Sequence, residues 1–233
     1  MAGRSCSFVG ALVALSALLA VGTARASYDF DSGIWLGPAG LLADWSAALT
    51  RTSGELERLD ACRQDAGACP SGFQGLATLL VRAGTLTRDD QIRLVHRYMN
   101  RRPYLSDRAT EVVSALDGEV IHLRSRWQSL GEFLARGGDC QGYAIGKYHV
   151  LRLLGIPAAD LRIVVTHERS TRGHHAMLAV RRGDRSWLLD SDNNIHRTLP
   201  IGSRLVYAVN EIGIWDHQFI PGSEPAVLPT ESS

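Results

Sequence analysis

Cys140, His175 and Asp190 are the residues whose types and order could carry covalent chemistry in this chain. A cysteine attacks as its thiolate; it needs a base, usually histidine, and the histidine needs an acceptor that holds its ring in place. Cys140 follows Gly137-Gly138-Asp139 and opens a run in which Cys140, Ala144, Tyr148 and Leu151 recur at helical spacing. Asp139 is a good N-cap, the two glycines permit a sharp entry, and Gly155 with Pro157 closes the far end. Cys140 is therefore expected in the first turn of a buried helix, where unpaired N–H groups and the positive end of the helix dipole favour a thiolate. Read alone, the same residue is a small apolar side chain under a helix start.

The partners follow from hairpin arithmetic. His175 to Val180 and Ser186 to Asp190 read as strands separated by the turn residues Arg181 to Arg185. With Gly183-Asp184 as the turn, Val180 faces Trp187, Leu178 faces Leu189 and Met177 faces Asp190. His175 then shares a sheet face with Asp190 as a diagonal neighbour about 7–8 Å away. The same register sets Asp192 opposite His175 as a rival acceptor, and a turn longer by one residue would favour His174 instead. His167, His174 and His175 with Asp190 fit no standard zinc spacing. Arg182-Gly183-Asp184 is turn chemistry.

The elements that must position these residues are helical upstream and extended downstream. Pro38 to Leu59 carries a helical pattern interrupted by Thr52-Ser53-Gly54, which predicts one broken helix or two short ones. Phe73 to Val81 predicts a helix, and Thr87 with Asp90 opens another that Pro103 stops. Ser27 to Gly37 has no clear period, and Asp107 to Arg126 is ambiguous. Trp127 to Ala135 predicts a short helix. After the Cys140 helix come strands at Leu161–Val165, His175–Val180, Ser186–Asp190 and Leu205–Val209, with Thr166 to Gly173 as a polar loop. Helices followed by an antiparallel meander imply an α+β fold.

The first residues look like a leader: Arg4, an apolar run from Phe8 to Val21, and Ala24-Arg25-Ala26 before Ser27. Export by this signal peptide (1–26) leaves one domain, 27–233, with a helical layer over 27–103 and a catalytic core over 127–210. Removing Arg4 and Arg25 takes the formal charge from +1 to −1. That balance offers nothing to nucleic acid or anionic lipid. Cys62 and Cys69 flank a short polar stretch and can close a small loop; if they pair, Cys140 is left as the free thiol in an oxidising compartment.

Trp127 through Gly131-Glu132, Gly137-Gly138-Asp139-Cys140, Tyr143-Ala144-Ile145, Lys147-Tyr148, Leu151 and Gly155-Ile156-Pro157 resemble the bacterial transglutaminase-like cysteine peptidases. Leu161–Val165, His175–Val180 and Leu188-Leu189-Asp190 continue the resemblance, which runs from about Gln91 to Ile195. It implies a papain/transglutaminase-type core and a triad of Cys140 as nucleophile, His175 as base and Asp190 as orienting acid. It also implies a periplasmic setting and a protein substrate. The best-known branch trims large surface adhesins under an inner-membrane receptor, with calcium held beside the nucleophile by an acidic pair after Asp-Cys. Here Gln141-Gly142 stand in that place. A hard cation wants carboxylate oxygens, so no cofactor is expected to be required, and calcium would have to rely on Asp139 and neutral donors. The reaction expected is hydrolysis of a protein amide through a thioester. The same triad could pass the acyl group to an amine, and a fold retained only for binding is the third reading. Trp127 is a weak candidate for a second oxyanion donor.

Overall fold

The helix that begins at Cys140 forms as α5 (Cys140–Leu153), with Asp139 in extended conformation at its N-cap and the Gly142 N–H donating to its carboxylate at 3.0 Å. Every residue from Gly142 to Leu151 is buried. The expected apolar stripe is thus a whole circumference, because α5 is packed by helices on one side and by a sheet on the other. The computed structural model describes residues 27–64, 69, 72–106, 112–114, 120–123, 127–171 and 173–218; the leader expected over 1–26 lies outside them. Among these residues no helix is long and apolar enough to cross a membrane.

The helical layer consists of α1 (Ala43–Gln64), α2 (Phe73–Ala83), α3 (Arg88–Met99) and α4 (Leu130–Arg136). Trp45, Leu76, Ile92, Met99 and Phe133 from these helices share one core with Tyr148 of α5 and with Ile163, Leu178 and Leu189 of the sheet. Pro103 lies beyond α3 as expected, and Thr87 caps that helix through Asp90. The polar stretch Thr52-Ser53-Gly54 does not break α1. Thr52 and the nearby Glu55 are buried because they serve α4. Leu130 N–H donates to Thr52 Oγ1 at 3.1 Å, Gly131 N–H to Glu55 Oε2 at 2.7 Å, and Ser129 Oγ to Glu55 Oε1 at 2.6 Å. The first N–H groups of a helix have no partner within it. Here a neighbouring helix supplies acceptors beside the capping box of Ser129 and Glu132.

The sheet has strands β1 (Ile34–Pro38), β4 (Leu161–Glu168), β5 (Gly173–Arg182), β6 (Arg185–Leu189), β7 (Ile195–His196), β8 (Ser203–Val209) and β9 (Gly213–Asp216). Their order is β1-β9-β8-β4-β5-β6-β7, all antiparallel. Residues alternate between faces as period 2 requires. Ile163, Val165, Leu178 and Val180 join the helix-side core, while Val164, Met177, Ala179 and Leu188 pack on the far face under Tyr28 and Phe30. Two expectations need correction. The polar stretch Thr166 to Gly173 is mostly strand: His167 pairs with His174 and Glu168 with Gly173, because main-chain pairing on both sides of β4 outweighs side-chain polarity. The meander is also widened by β1, β7 and β9, which are short or glycine-rich and lack a readable period. Within the ambiguous segment, β2 (Val112–Ser114) and β3 (Val120–Leu123) form a separate pair.

Cys62 and Cys69 form a disulfide with their Cα atoms 4.5 Å apart, and Cys140 is a free thiol. In the chain lacking residues 1–26, thiol titration after unfolding without reductant should find one reactive sulfhydryl, at Cys140. Finding three would contradict the pairing.

Candidate active site

Cys140 is delivered by a segment braced on two sides. Gly137 has φ of +83°, and a Cβ there would overlap the Pro103 carbonyl oxygen. Only glycine accepts both demands. Gly138 N–H donates to Pro103 O at 3.2 Å and Leu105 N–H to Gly138 O at 2.9 Å, with Tyr104 and Gly138 forming an isolated parallel bridge. On the opposite side Gln128 Nε2 donates to Gly137 O at 3.1 Å. Its Oε1 occupies the space that a side chain at Gly138 or Gly142 would need, and the Phe133 ring closes in on Gly142 as well. The close-packed entry leaves Cys140 partly accessible at the first position of α5.

The hairpin takes the register with Gly183-Asp184 as its turn: Val180 pairs with Trp187 and Leu178 with Leu189. Beyond Leu178–Leu189 the ladder stops, and the chain curls so that Asp190 N–H donates to Asn194 O at 3.1 Å. This curl brings the diagonal pair into contact. His175 Nε2 donates to Asp190 Oδ1 at 2.7 Å, and Cys140 is the second hydrogen-bonding partner of the imidazole. With Nε2 committed to Asp190, Nδ1 is the nitrogen left for the sulfur. Burial disfavours the imidazolium, but hydrogen bonds and charges from Asp190 and Cys140 outweigh it and push His175 up to about 10. Burial also works against the Asp190 carboxylate. His175 and the Ser191 N–H, which donates at 2.6 Å, nonetheless hold it below the usual carboxylate range.

Asp190 is gripped through its backbone too. Its carbonyl oxygen accepts from Lys147 Nζ at 2.6 Å and from Asn100 Nδ2 at 2.9 Å. Lys147 has no exposed surface, and burial lowers it to about 7 against the pull of Asp190 and Asp192. His96 of α3, also buried, is lowered to about 4 by burial and by Lys147, so it stays neutral. Lys147 and Asn100 are not evident as site residues in the sequence. A lysine inside an otherwise buried helix was the available signal for the first.

The rivals are placed elsewhere. Asp192 turns to Asn194, accepting its backbone N–H at 3.0 Å and its side-chain amide at 2.5 Å. His174 is exposed, and its ring meets that of His167. Trp127 is buried against Trp45 and its carbonyl accepts from Arg51, so its indole is a core group. Asp190, Asp192 and His196 are the group among the described residues whose ligand atoms lie close enough to share an ion. Asp190 Oδ1 is already shared between His175 and Ser191.

A sequence profile described as bacterial transglutaminase-like cysteine proteinase BTLCP matches residues 62–199. No curated protein sequence matches the chain. Among solved structures, calcium-bound Legionella pneumophila LapG is similar at 23% identity and a TM-score of 0.55, covering 70% of this chain and 88% of that one. A second LapG structure gives 23% and 0.54, covering 68% and 87%. The EGTA-treated form gives 22% and 0.56, covering 69% and 86%. At these identities the likeness is one of fold, helices on an antiparallel sheet.

The two shifted cations make opposite contributions to stability. His175 binds its proton more tightly when folded, so its contribution is complete below about 6.5 and is lost as pH rises toward 10. Lys147 binds its proton less tightly when folded, so its penalty is relieved as pH rises from about 7 toward its unfolded value. Between pH 7 and 9 the two slopes oppose each other. Lys147→Met removes one of them, so urea unfolding of that variant should show stability falling with pH by up to about 1.4 kcal/mol per unit more than the parent. A variant that tracks the parent's pH profile would refute the assignment.

Proposed function

The chain belongs to the bacterial transglutaminase-like cysteine proteinase family, and we propose that it hydrolyses a protein amide bond with Cys140 as nucleophile, His175 as acid and base, and Asp190 as orienting acid. The observation that carries this reading is the 2.7 Å hydrogen bond from His175 Nε2 to Asp190 Oδ1, with Cys140 as a further partner of the ring.

The reaction runs from a thiolate–imidazolium pair. Cys140 Sγ bonds to the carbonyl carbon, and the oxyanion is met by the Cys140 N–H at the helix start. The C–N bond breaks as His175 Nδ1 gives its proton to the departing amine, leaving a thioester and a neutral imidazole. Thioester formation also removes the sulfur's negative charge, one of the interactions that raise His175. The imidazole then serves as base: it takes a proton from water, the hydroxide adds to the thioester carbon, and C–S cleavage restores the thiolate and releases the acid. Asp190 keeps the ring oriented through both halves.

Calcium beside the nucleophile does not fit the residues present. The Asp139 carboxylate caps Gly142 N–H, Gln141 brings only a neutral side chain, and Gly142 has no room for one. No step is therefore routed through a metal. The leader-like first residues support export to the periplasm, and the family supports a protein substrate, with a surface adhesin and an inner-membrane regulatory receptor as the partners to test.

Iodoacetamide should alkylate Cys140 readily at neutral pH, and His175→Ala should slow it by about tenfold or more by removing the imidazolium that holds the thiolate. Labelling indifferent to His175 would point to a fold kept for binding. With surface proteins as substrate, cleavage should be lost in Cys140→Ser, unchanged by EGTA and not diverted to a crosslink by an added amine. A large chelator-dependent loss would overturn the calcium reading.

A further inference from the structure

Acyl transfer is helped most when more than one donor meets the developing oxyanion, and the helix start supplies only the Cys140 N–H. Trp127 is buried in the core, and the Gln128 amide is bonded to Gly137 O. Tyr104 differs from both. Its backbone is locked beside the nucleophile segment by the Gly138 bridge and the flanking hydrogen bonds of Pro103 and Leu105. Its ring stacks on Tyr143 with centroids 6.1 Å apart and planes 18° from parallel, and the Tyr143 hydroxyl is tied to Arg102 O. The Tyr104 hydroxyl lies in the neighbourhood of the Cys140 backbone N–H, yet the residue is 56% exposed. An exposed tyrosine is thus held by its backbone and ring with its hydroxyl near the N–H that must receive the oxyanion.

We propose that Tyr104 is the second oxyanion donor: its hydroxyl, held near the Cys140 N–H, turns its O–H toward the substrate oxygen when the carbonyl carbon becomes tetrahedral on Cys140 Sγ. The proposal rests on Cys140 being the nucleophile. No proton is transferred in this role; the phenol donates a hydrogen bond and keeps its hydrogen. Burial and the nearby Cys140 and Asp139 charges raise Tyr104 above its ordinary value, so it stays protonated, and a donor, through the neutral range.

Tyr104→Phe keeps the ring that stacks on Tyr143 and removes only the hydroxyl. Two probes separate its roles. Iodoacetamide alkylates sulfur at a saturated carbon without forming an oxyanion, whereas p-nitrophenyl acetate acylates it through a tetrahedral oxyanion. In Tyr104→Phe the burst of p-nitrophenolate should slow by about 10²-fold, in the range seen for loss of one such donor, while the alkylation rate stays at the parent value. Equal slowing of both would make Tyr104 a support of the nucleophile rather than a donor, and an unchanged burst would remove it from the chemistry. A faster burst would make the hydroxyl an obstruction that substrate must displace. Each of these overturns the proposal. A burst that survives Cys140→Ser, or a parent chain with no burst, sinks the nucleophile assignment itself.

Discussion

Asp190 is held at both ends, and the catalytic geometry hangs on that double grip. Its carboxylate faces His175 while its carbonyl accepts from the buried ammonium of Lys147 and the amide of Asn100. Asp190 follows the last ladder pair of the β5–β6 hairpin, where a residue ordinarily drifts into a solvated turn. A buried ammonium carries an effective penalty of several kcal/mol unless it is well paired. Lys147 thus demands an acceptor at the place where the carbonyl sits. With the backbone pinned by Lys147 and Asn100, the side chain reaches the imidazole. Positioning comes from two polar residues that never reach the sulfur.

The opposite wall of the site is set by close approach rather than by charge. Gly137, Gly138 and Gly142 each lack the atom that Pro103, Gln128 or Phe133 would collide with. The absence of side chains lets three elements converge on the first turn of α5. The Gln128 amide and the Phe133 ring fill the space that a side chain at position 142 would enter.

The placement of Cys140, His175 and Asp190 was legible because they obey local rules. An N-cap, a pair of glycines and an apolar helix announce Cys140, and period-2 alternation about a tight turn relates His175 to Asp190. The choice between Asp190 and Asp192 was not legible, because it depends on how the chain curls after Leu189. Thr52 was misread for a similar reason: polarity inside a helix looks like a break until the partner helix end is known. Strand pairing on both sides likewise turned Thr166, His167 and Glu168 from loop into sheet. Tyr104 gave no local signal, since its neighbour across the bridge lies far along the chain.

The contact between α1 and the start of α4 makes the N-terminal helix part of the machinery. Glu55 answers the orphan amides at the head of α4, and the tail of α4 runs directly into Gly137. Prying α1 aside would uncap that short helix and slacken the strut that presents the sulfur. The order of the segment that carries Cys140 thus rests in part on a helix that begins almost a hundred residues earlier in the chain.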